Sequence, residues 1–432
     1  MRKSITTKYG LKIIYSRSKS LNGVAVAIKF NAGSSNEGKG KQGLAHLTEH
    51  CLCNCSNEIF TKSELYDSFS LYPYRNAMTG VNNMMFLGLC NKKDFEKLMD
   101  NLTSSFTNFT NLEKEFKDEK EVVLQEIITK RKTNNNQAFE LMFKNTRREK
   151  NFKYMEQELV LGSVESVNKL TIQDVLDFKD TYFSINNAII SIVGNVKFSK
   201  VLDACKKYLQ GRLKQSGKLG FGYNDSMPIK ENVFIKQEPV EAQKSLLKVE
   251  WKYAEAEEYL TRREGYIKAI LGNVLSSMAF DKFRVKNSSC YAVSMRFYQD
   301  FRELTTNFII ECAHEKVEYI YNLLLEFIEE VKTNGLARNI FDLEHKRYFD
   351  RYNLDATSLL NRARGFLDTY NVYGNILNNK KALKEKREFE KISFDEINEY
   401  AKRAMIGKPN IVLLTKNDIN IDKSKLKVLL KK

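Results

Sequence analysis

The 432-residue chain contains no apolar run approaching the roughly 18 residues that a membrane-spanning helix requires, so no transmembrane helix and no membrane partner are expected. Its first twenty residues are broken by Lys8, Lys12, Arg17 and Lys19, which leaves no continuous hydrophobic stretch for a secretory signal. Tyr9-Gly10 interrupts any long amphipathic targeting helix, and the expected location is the cytoplasm. Cysteine is scarce and its count of seven is odd. Cys51, Cys53 and Cys55 crowd together while the other four are scattered, a distribution that excludes a secreted disulfide framework and points to reduced thiols. Histidine is scarcer still, with four in the whole chain, so any pairing among them carries information.

What is abundant is lysine. The formal charge of +16 invites a nucleic-acid reading, but acidic residues are interleaved with the basic ones throughout. A run such as Asn379-Lys380-Lys381-Ala382-Leu383-Lys384-Glu385-Lys386-Arg387 is the solvated face of a helix, and no groove-reading or base-stacking signature accompanies it. No nucleic-acid partner is expected; a basic interior that attracts acidic peptides is a better use of the charge. Hydrophobic residues at 42% and charged residues at 29% describe a folded chain rather than a disordered one, and the length suits two domains.

Those two domains read as copies of one plan. Thr171-Ile172-Gln173-Asp174 has the spacing of a helix-capping pair, and after Tyr182 and Phe183 comes a strand beginning at Asn187. Ser393-Phe394-Asp395-Glu396 repeats the capped helix 222 residues later, and a second strand begins at Asn410, 223 residues after the first. The same offset carries the strand Val24–Phe30 onto Leu246–Lys252, where Leu247, Val249 and Trp251 alternate with charged neighbours. A tandem duplication of an α/β unit follows: residues 1–214, a linker at 215–239 rich in glycine and holding two of the four prolines, and residues 240–432. The predicted class is α+β, two homologous α/β sandwich domains with helices packed on one face of mainly antiparallel sheets.

The sharpest chemical signal is Gly43-Leu44-Ala45-His46-Leu47-Thr48-Glu49-His50. On a helix, His46 and His50 project from one face a turn apart, the spacing of two neutral ligands to one tetrahedral zinc. Glu49 lies close enough to take a proton from a metal-activated water. This His-x-x-Glu-His order inverts the commoner zinc-protease helix motif. A third ligand is required, and the helical segment Glu119–Glu126 offers two carboxylates seven residues apart on one face. One can bind metal while the other orients a ligand histidine, and spacing alone leaves the choice between Glu119 and Glu126 open.

These residues resemble the pitrilysin, insulin-degrading enzyme and mitochondrial processing peptidase family of zinc peptidases. The resemblance rests on the His-x-x-Glu-His helix and on Glu126, 76 residues beyond His50, with Glu119 seven residues before it. Asn31-Ala32-Gly33-Ser34, Asn76-Ala77-Met78-Thr79 and Leu161-Gly162-Ser163-Val164-Glu165 extend it along most of the chain. It implies that His46, His50 and Glu126 hold one zinc per chain, that Glu119 supports them and that Glu49 is the general base. It implies further that Asn76 and Ala77 lie on an edge strand that binds substrate backbone. Arg284 and Tyr291 resemble the family's pair that holds the scissile peptide, although Ser288-Ser289 replaces the Gly-Leu the family tends to show there. The short members of this family are half-clamshells, so a homodimer or a heterodimer with a related chain is implied. Shifting the motif by 222 reaches Lys268, Leu271 and Gly272, which cannot bind metal, so the second domain should serve as substrate wall.

The expected function is therefore a zinc metalloendopeptidase that cleaves short, unfolded or leader-like peptides inside an enclosed chamber. The rivals are a non-catalytic peptide-binding or scaffold subunit and a catalytic subunit active only with a related partner chain. Cys51, Cys53 and Cys55 are expected to pack as small hydrophobes beneath the motif helix, and His314 and His345 to be structural.

Overall fold

The computed structural model describes residues 2–146, 160–220, 233–241, 243–255, 262–300, 303–355, 357–373, 376, 379–404 and 409–419. Residues 221–232 of the expected linker 215–239 lie outside them. The chain forms two compact units, the first from residues 1–128, 156–223 and 353–383, the second from 129–155, 224–352 and 384–432.

The first unit is built on a six-stranded sheet of β1 (Arg2–Thr6), β2 (Lys12–Arg17), β3 (Gly23–Phe30), β4 (Tyr74–Thr79), β5 (Met84–Asn91) and β6 (Ala188–Gly194). Its order is β1-β2-β6-β3-β5-β4, and every neighbouring pair is antiparallel except β2–β6. The second unit carries β7 (Phe234–Gln237), β8 (Ser245–Glu255), β9 (Ala292–Asp300), β10 (Glu303–Cys312) and β11 (Asn410–Leu414) in the order β7-β11-β8-β10-β9. Only β7–β11 is parallel there. Leaving out β1, the two orders are the same, with β2, β6, β3, β5 and β4 matching β7, β11, β8, β10 and β9. The duplication legible at three landmarks therefore extends to the hydrogen-bonded topology.

Helices cover both faces of each sheet. In the first unit Val24, Val26, Ile28 and Phe30 of β3 join the large core with α1 (Leu44–Asn54), α3 (Phe95–Ser104) and α4 (Leu112–Arg131), α2 (Lys62–Leu71) lying between α1 and α3 in the chain. The alternate positions Ala25 and Ala27 face a second cluster built on Leu359, Ala363 and Leu367 of the helix Leu359–Tyr373. In the second unit α5 (Asn134–Thr146) lays Ala138 and Met142 on Leu246, Val412 and Leu414. The strand pattern predicts helices on one face alone. The second layer forms because β3 is apolar at its alternate positions too, and in the second unit Leu246 of β8 with Val412 and Leu414 of β11 makes an apolar patch on the other face, so each sheet needs two covers. Each unit takes that cover from the far half of the sequence, which is why neither is contiguous.

In the first unit this layer buries a charge. Lys29 of β3 is 1% exposed on the face that carries Ala25 and Ala27, and burial lowers its pKa to about 8 despite the nearby carboxylate of Asp368.

Candidate metal centre

α1 begins without a side-chain cap, at Gly43 with φ of 90°. Its free amides are held from outside the helix: the buried carboxylate of Glu37 accepts hydrogen bonds from the Gly43 and Ala45 amides at 3.1 and 2.8 Å. Gly43 also lies against Leu161-Gly162, so that a Cβ on Gly43 would stand 2.6 Å from the Leu161 carbonyl oxygen. The left-handed φ and the close approach together make glycine obligatory there. Leu44, Leu47, Thr48, Cys51 and Leu52 are buried at the spacing of one helix face, which fixes the rotation of α1 and sends His46, Glu49 and His50 the other way.

α4 approaches with a buried stripe of Leu112, Phe116, Glu119, Val123 and Ile127. It is tied to the end of α1 by Glu115, which accepts from the Ser56 amide and hydroxyl at 2.6 and 2.7 Å. The docking brings Glu126 to the histidines. Its Oε2 lies 3.6 Å from His46 Nε2 and 3.7 Å from His50 Nε2, and the candidate donor atoms of His46, His50 and Glu126 all lie within 4.8 Å of one another. Two imidazole nitrogens and one carboxylate oxygen in that span fit a zinc ion, whose nitrogen and oxygen ligands stand at about 2.0–2.2 Å, with a fourth position left for substrate or water.

Glu119 lies on the other side of His50, with Oε2 3.5 Å from His50 Nδ1. It also accepts from Asn54 Nδ2 and Lys62 Nζ at 2.9 Å each. The structure thus separates the two carboxylates: Glu126 faces the Nε2 atoms, and Glu119 holds the opposite nitrogen of His50 so that Nε2 points to the metal position. The electrostatics agree. Burial pushes the His50 imidazolium down, but the carboxylates of Glu119 and Glu126 at 3.5 and 3.7 Å and the charge of Glu49 outweigh it and raise the pKa to about 9. Burial pushes the Glu119 carboxyl up, yet the nearby His50 imidazole and the hydrogen bonds from Asn54 and Lys62 hold it below its ordinary value. Glu49 accepts a hydrogen bond from Thr79 Oγ1 at 2.5 Å.

The family description "Insulinase (Peptidase family M16)" matches residues 12–155, and "Peptidase M16 inactive domain" matches residues 169–347. The chain belongs to the insulinase, or M16, peptidase family. It is 25% identical over 325 residues to an uncharacterized zinc protease of Rickettsia felis, covering 73% of this chain and 75% of that one. It is 26% identical over 221 residues to the zinc protease PqqE of Helicobacter pylori, covering 48% and 46%. Among solved structures, a protease from Helicobacter pylori superposes with a TM-score of 0.79 at 17% identity, covering 96% of this chain and 99% of that one. A peptidase M16 inactive domain from Pseudomonas fluorescens gives 0.80 at 14%, covering 97% and 98%. At such identities the superpositions speak for the fold.

The two family matches divide the chemistry as the ligands do. In the second unit Lys268, Leu271 and Gly272 sit within the helix Arg262–Phe280, all three buried. Among the described residues, His46, His50 and Glu126 form the one convergent group of three such donors. Arg284, exposed, follows that helix and donates a hydrogen bond to the backbone carbonyl of Tyr291. Tyr291 is 51% exposed, with Lys244 Nζ 4.4 Å from its ring centre. The pair implied by the resemblance is in contact, through backbone rather than through the phenol. Ser288 takes φ of 46°, and Ser289 donates to the Phe283 carbonyl.

Asn76 and Ala77 lie on β4, the outermost strand of its sheet, with Asn76 exposed and the Ala77 amide donating to Asn76 Oδ1 at 2.9 Å. Cys51, Cys53 and Cys55 are buried in the core below the motif. Contact with Cys55 raises the Cys51 thiol well above its usual pKa, and burial pushes Cys53 up to about 12, so both stay protonated. His314 Nδ1 meets Ser245 Oγ at 2.7 Å, and His345 packs beside Phe341 and Phe349. Sequence reasoning missed Glu37, Asn54, Lys62 and Thr79. Of these only Thr79 had a local signal, as the last residue of the Asn-Ala-Met-Thr segment.

Proposed function

We propose that this chain is a zinc metalloendopeptidase, with one zinc held by His46, His50 and Glu126 and with Glu49 as general base. The observation that carries the reading is the convergence of the three donor atoms within 4.8 Å on the face of α1 that also presents Glu49. A scaffold would need neither the donor set nor a second carboxylate beside it.

Zinc bound there would polarise the scissile carbonyl and acidify the attacking water. Glu49 takes the water's proton and returns it to the departing amine, so the same oxygen acts first as base and then as acid. Glu119 and Lys62 keep His50 in the tautomer that leaves Nε2 free. The outer edge of β4 at Asn76 and Ala77 accepts an extended peptide as an added strand, its backbone groups replacing water. Arg284 and Tyr291 are assigned the holding of the scissile peptide. The substrates proposed are short, unfolded or leader-like peptides, since strand addition requires an extended chain, and a second copy or a related chain would complete the chamber.

The test is zinc analysis of the purified chain together with cleavage of an unstructured fluorogenic peptide. Glu49→Gln should keep one zinc and lose turnover by about 10²–10⁴-fold, the usual contribution of a positioned proton acceptor. Near wild-type turnover in Glu49→Gln would show the base to be another group. A zinc-free chain that binds peptide without cutting it would favour the scaffold role.

A further inference from the structure

The same strand that offers its edge to a peptide also grips the base. β4 alternates: Arg75, Ala77 and Thr79 point toward α1, and Asn76 and Met78 point away and are exposed. On the inward side, Arg75 is buried and donates to Asn101 Oδ1 of α3 at 2.7 Å, which anchors the strand. Ala77 packs on the core. Thr79 gives its hydroxyl proton to Glu49 Oε2 at 2.5 Å. Among the described residues β4 is hydrogen-bonded on one side only, to β5, and stands at the edge of its sheet.

We infer that Thr79 is a positioning residue that sets the aim of Glu49, and that through it the placement of an extended peptide along β4 is transmitted to the base. The inference rests on the assignment of Glu49 as general base made above. A glutamate side chain has three rotatable torsions, and a carboxylate with no fixed partner samples orientations that cannot reach the attacking water. Thr79 occupies Oε2 and so restricts those torsions. Because the gripping hydroxyl belongs to the docking strand, a peptide paired along β4 holds strand, threonine and base in one register. Backbone binding remote from the scissile bond is then expressed in turnover as well as in affinity.

The experiment compares Thr79→Val, Thr79→Ser and Glu49→Gln in the full chain, measuring kcat and KM on an unstructured peptide and zinc content for each. Valine keeps the shape and removes the hydroxyl; serine keeps the hydroxyl. The expected result is a full zinc complement in all three. In Thr79→Val kcat should fall about 10- to 100-fold, the effect of losing a hydrogen bond to a charged group, with KM within about twofold. Thr79→Ser should recover most of the lost turnover. The inference is overturned if Thr79→Val turns over within about twofold of wild type while Glu49→Gln is inactive, or if Thr79→Ser is as impaired as Thr79→Val. An active Glu49→Gln variant would overturn the assignment of the base itself, a separate failure that the same assay recognises.

Discussion

Replacing Glu119 by Gln tests how the metal site is tuned, because it removes one charge and leaves the shape. Glu119 accepts from Asn54 and Lys62 and faces His50 Nδ1, so the amide's NH2 must confront at least one donor. Two effects follow, and they oppose each other near neutral pH. In the metal-free protein His50 titrates at about 9 against about 6.5 for a free imidazole. Its protonated form therefore stabilises the metal-free fold by about 3 kcal/mol. That stability is fully present below about pH 6.5 and is lost as pH rises through about 9, since the folded-state pKa is the raised one. Zinc requires neutral His50, so at pH 7 the ion must displace a proton, and apparent affinity should climb by up to tenfold per pH unit until about pH 9. Glu119→Gln withdraws one of the two carboxylates that hold the proton. The climb should become shallower and the number of protons released at pH 7 smaller. Above pH 9, where proton competition has ended, loss of the group that orients His50 should weaken zinc binding about 10- to 100-fold. The assay is competition against a chromophoric chelator from pH 7 to 9.5, with calorimetry in buffers of different ionisation enthalpy to count protons. Identical slopes and affinities in the variant and the wild type would refute the tuning role of Glu119.

Two further outcomes are expected. Lys29 has its folded pKa lowered from 10.5 to about 8, so the unfolded chain binds more protons between those values and wild-type stability should rise with pH across that window. Lys29→Met should abolish the rise, which denaturant titrations at pH 7.5 and 10 would detect as a difference of about 3 kcal/mol. Cys51 and Cys53 are buried with raised thiol pKa values, so a thiol reagent at pH 8 should modify the half-buried Cys290 well before either of them; rapid native-state labelling of Cys51 or Cys53 would contradict the packing described.

The residues that the sequence by itself determined are those whose relations are local. His46 and His50 share a face because an α-helix returns every 3.6 residues, and Glu119 and Glu126 do so for the same reason two turns apart. The duplication was legible because capping pairs and strand starts recur at 222–223 residues, and the sheet orders follow that repeat. The choice between the two carboxylates was not local. Seven residues apart they present equivalent faces, and the choice depends on what packs around each: Asn54 and Lys62 engage Glu119, while Glu126 meets both Nε2 atoms. Glu37 capping α1 and Thr79 holding Glu49 also join segments with no shared period, across a loop and a strand. Hardest to foresee was the helix Leu359–Tyr373 lying on the sheet of the first unit. Its apolar stripe announces that it must be covered, but which sheet covers it is decided only when both folded surfaces exist, because burial of apolar area carries no sequence address.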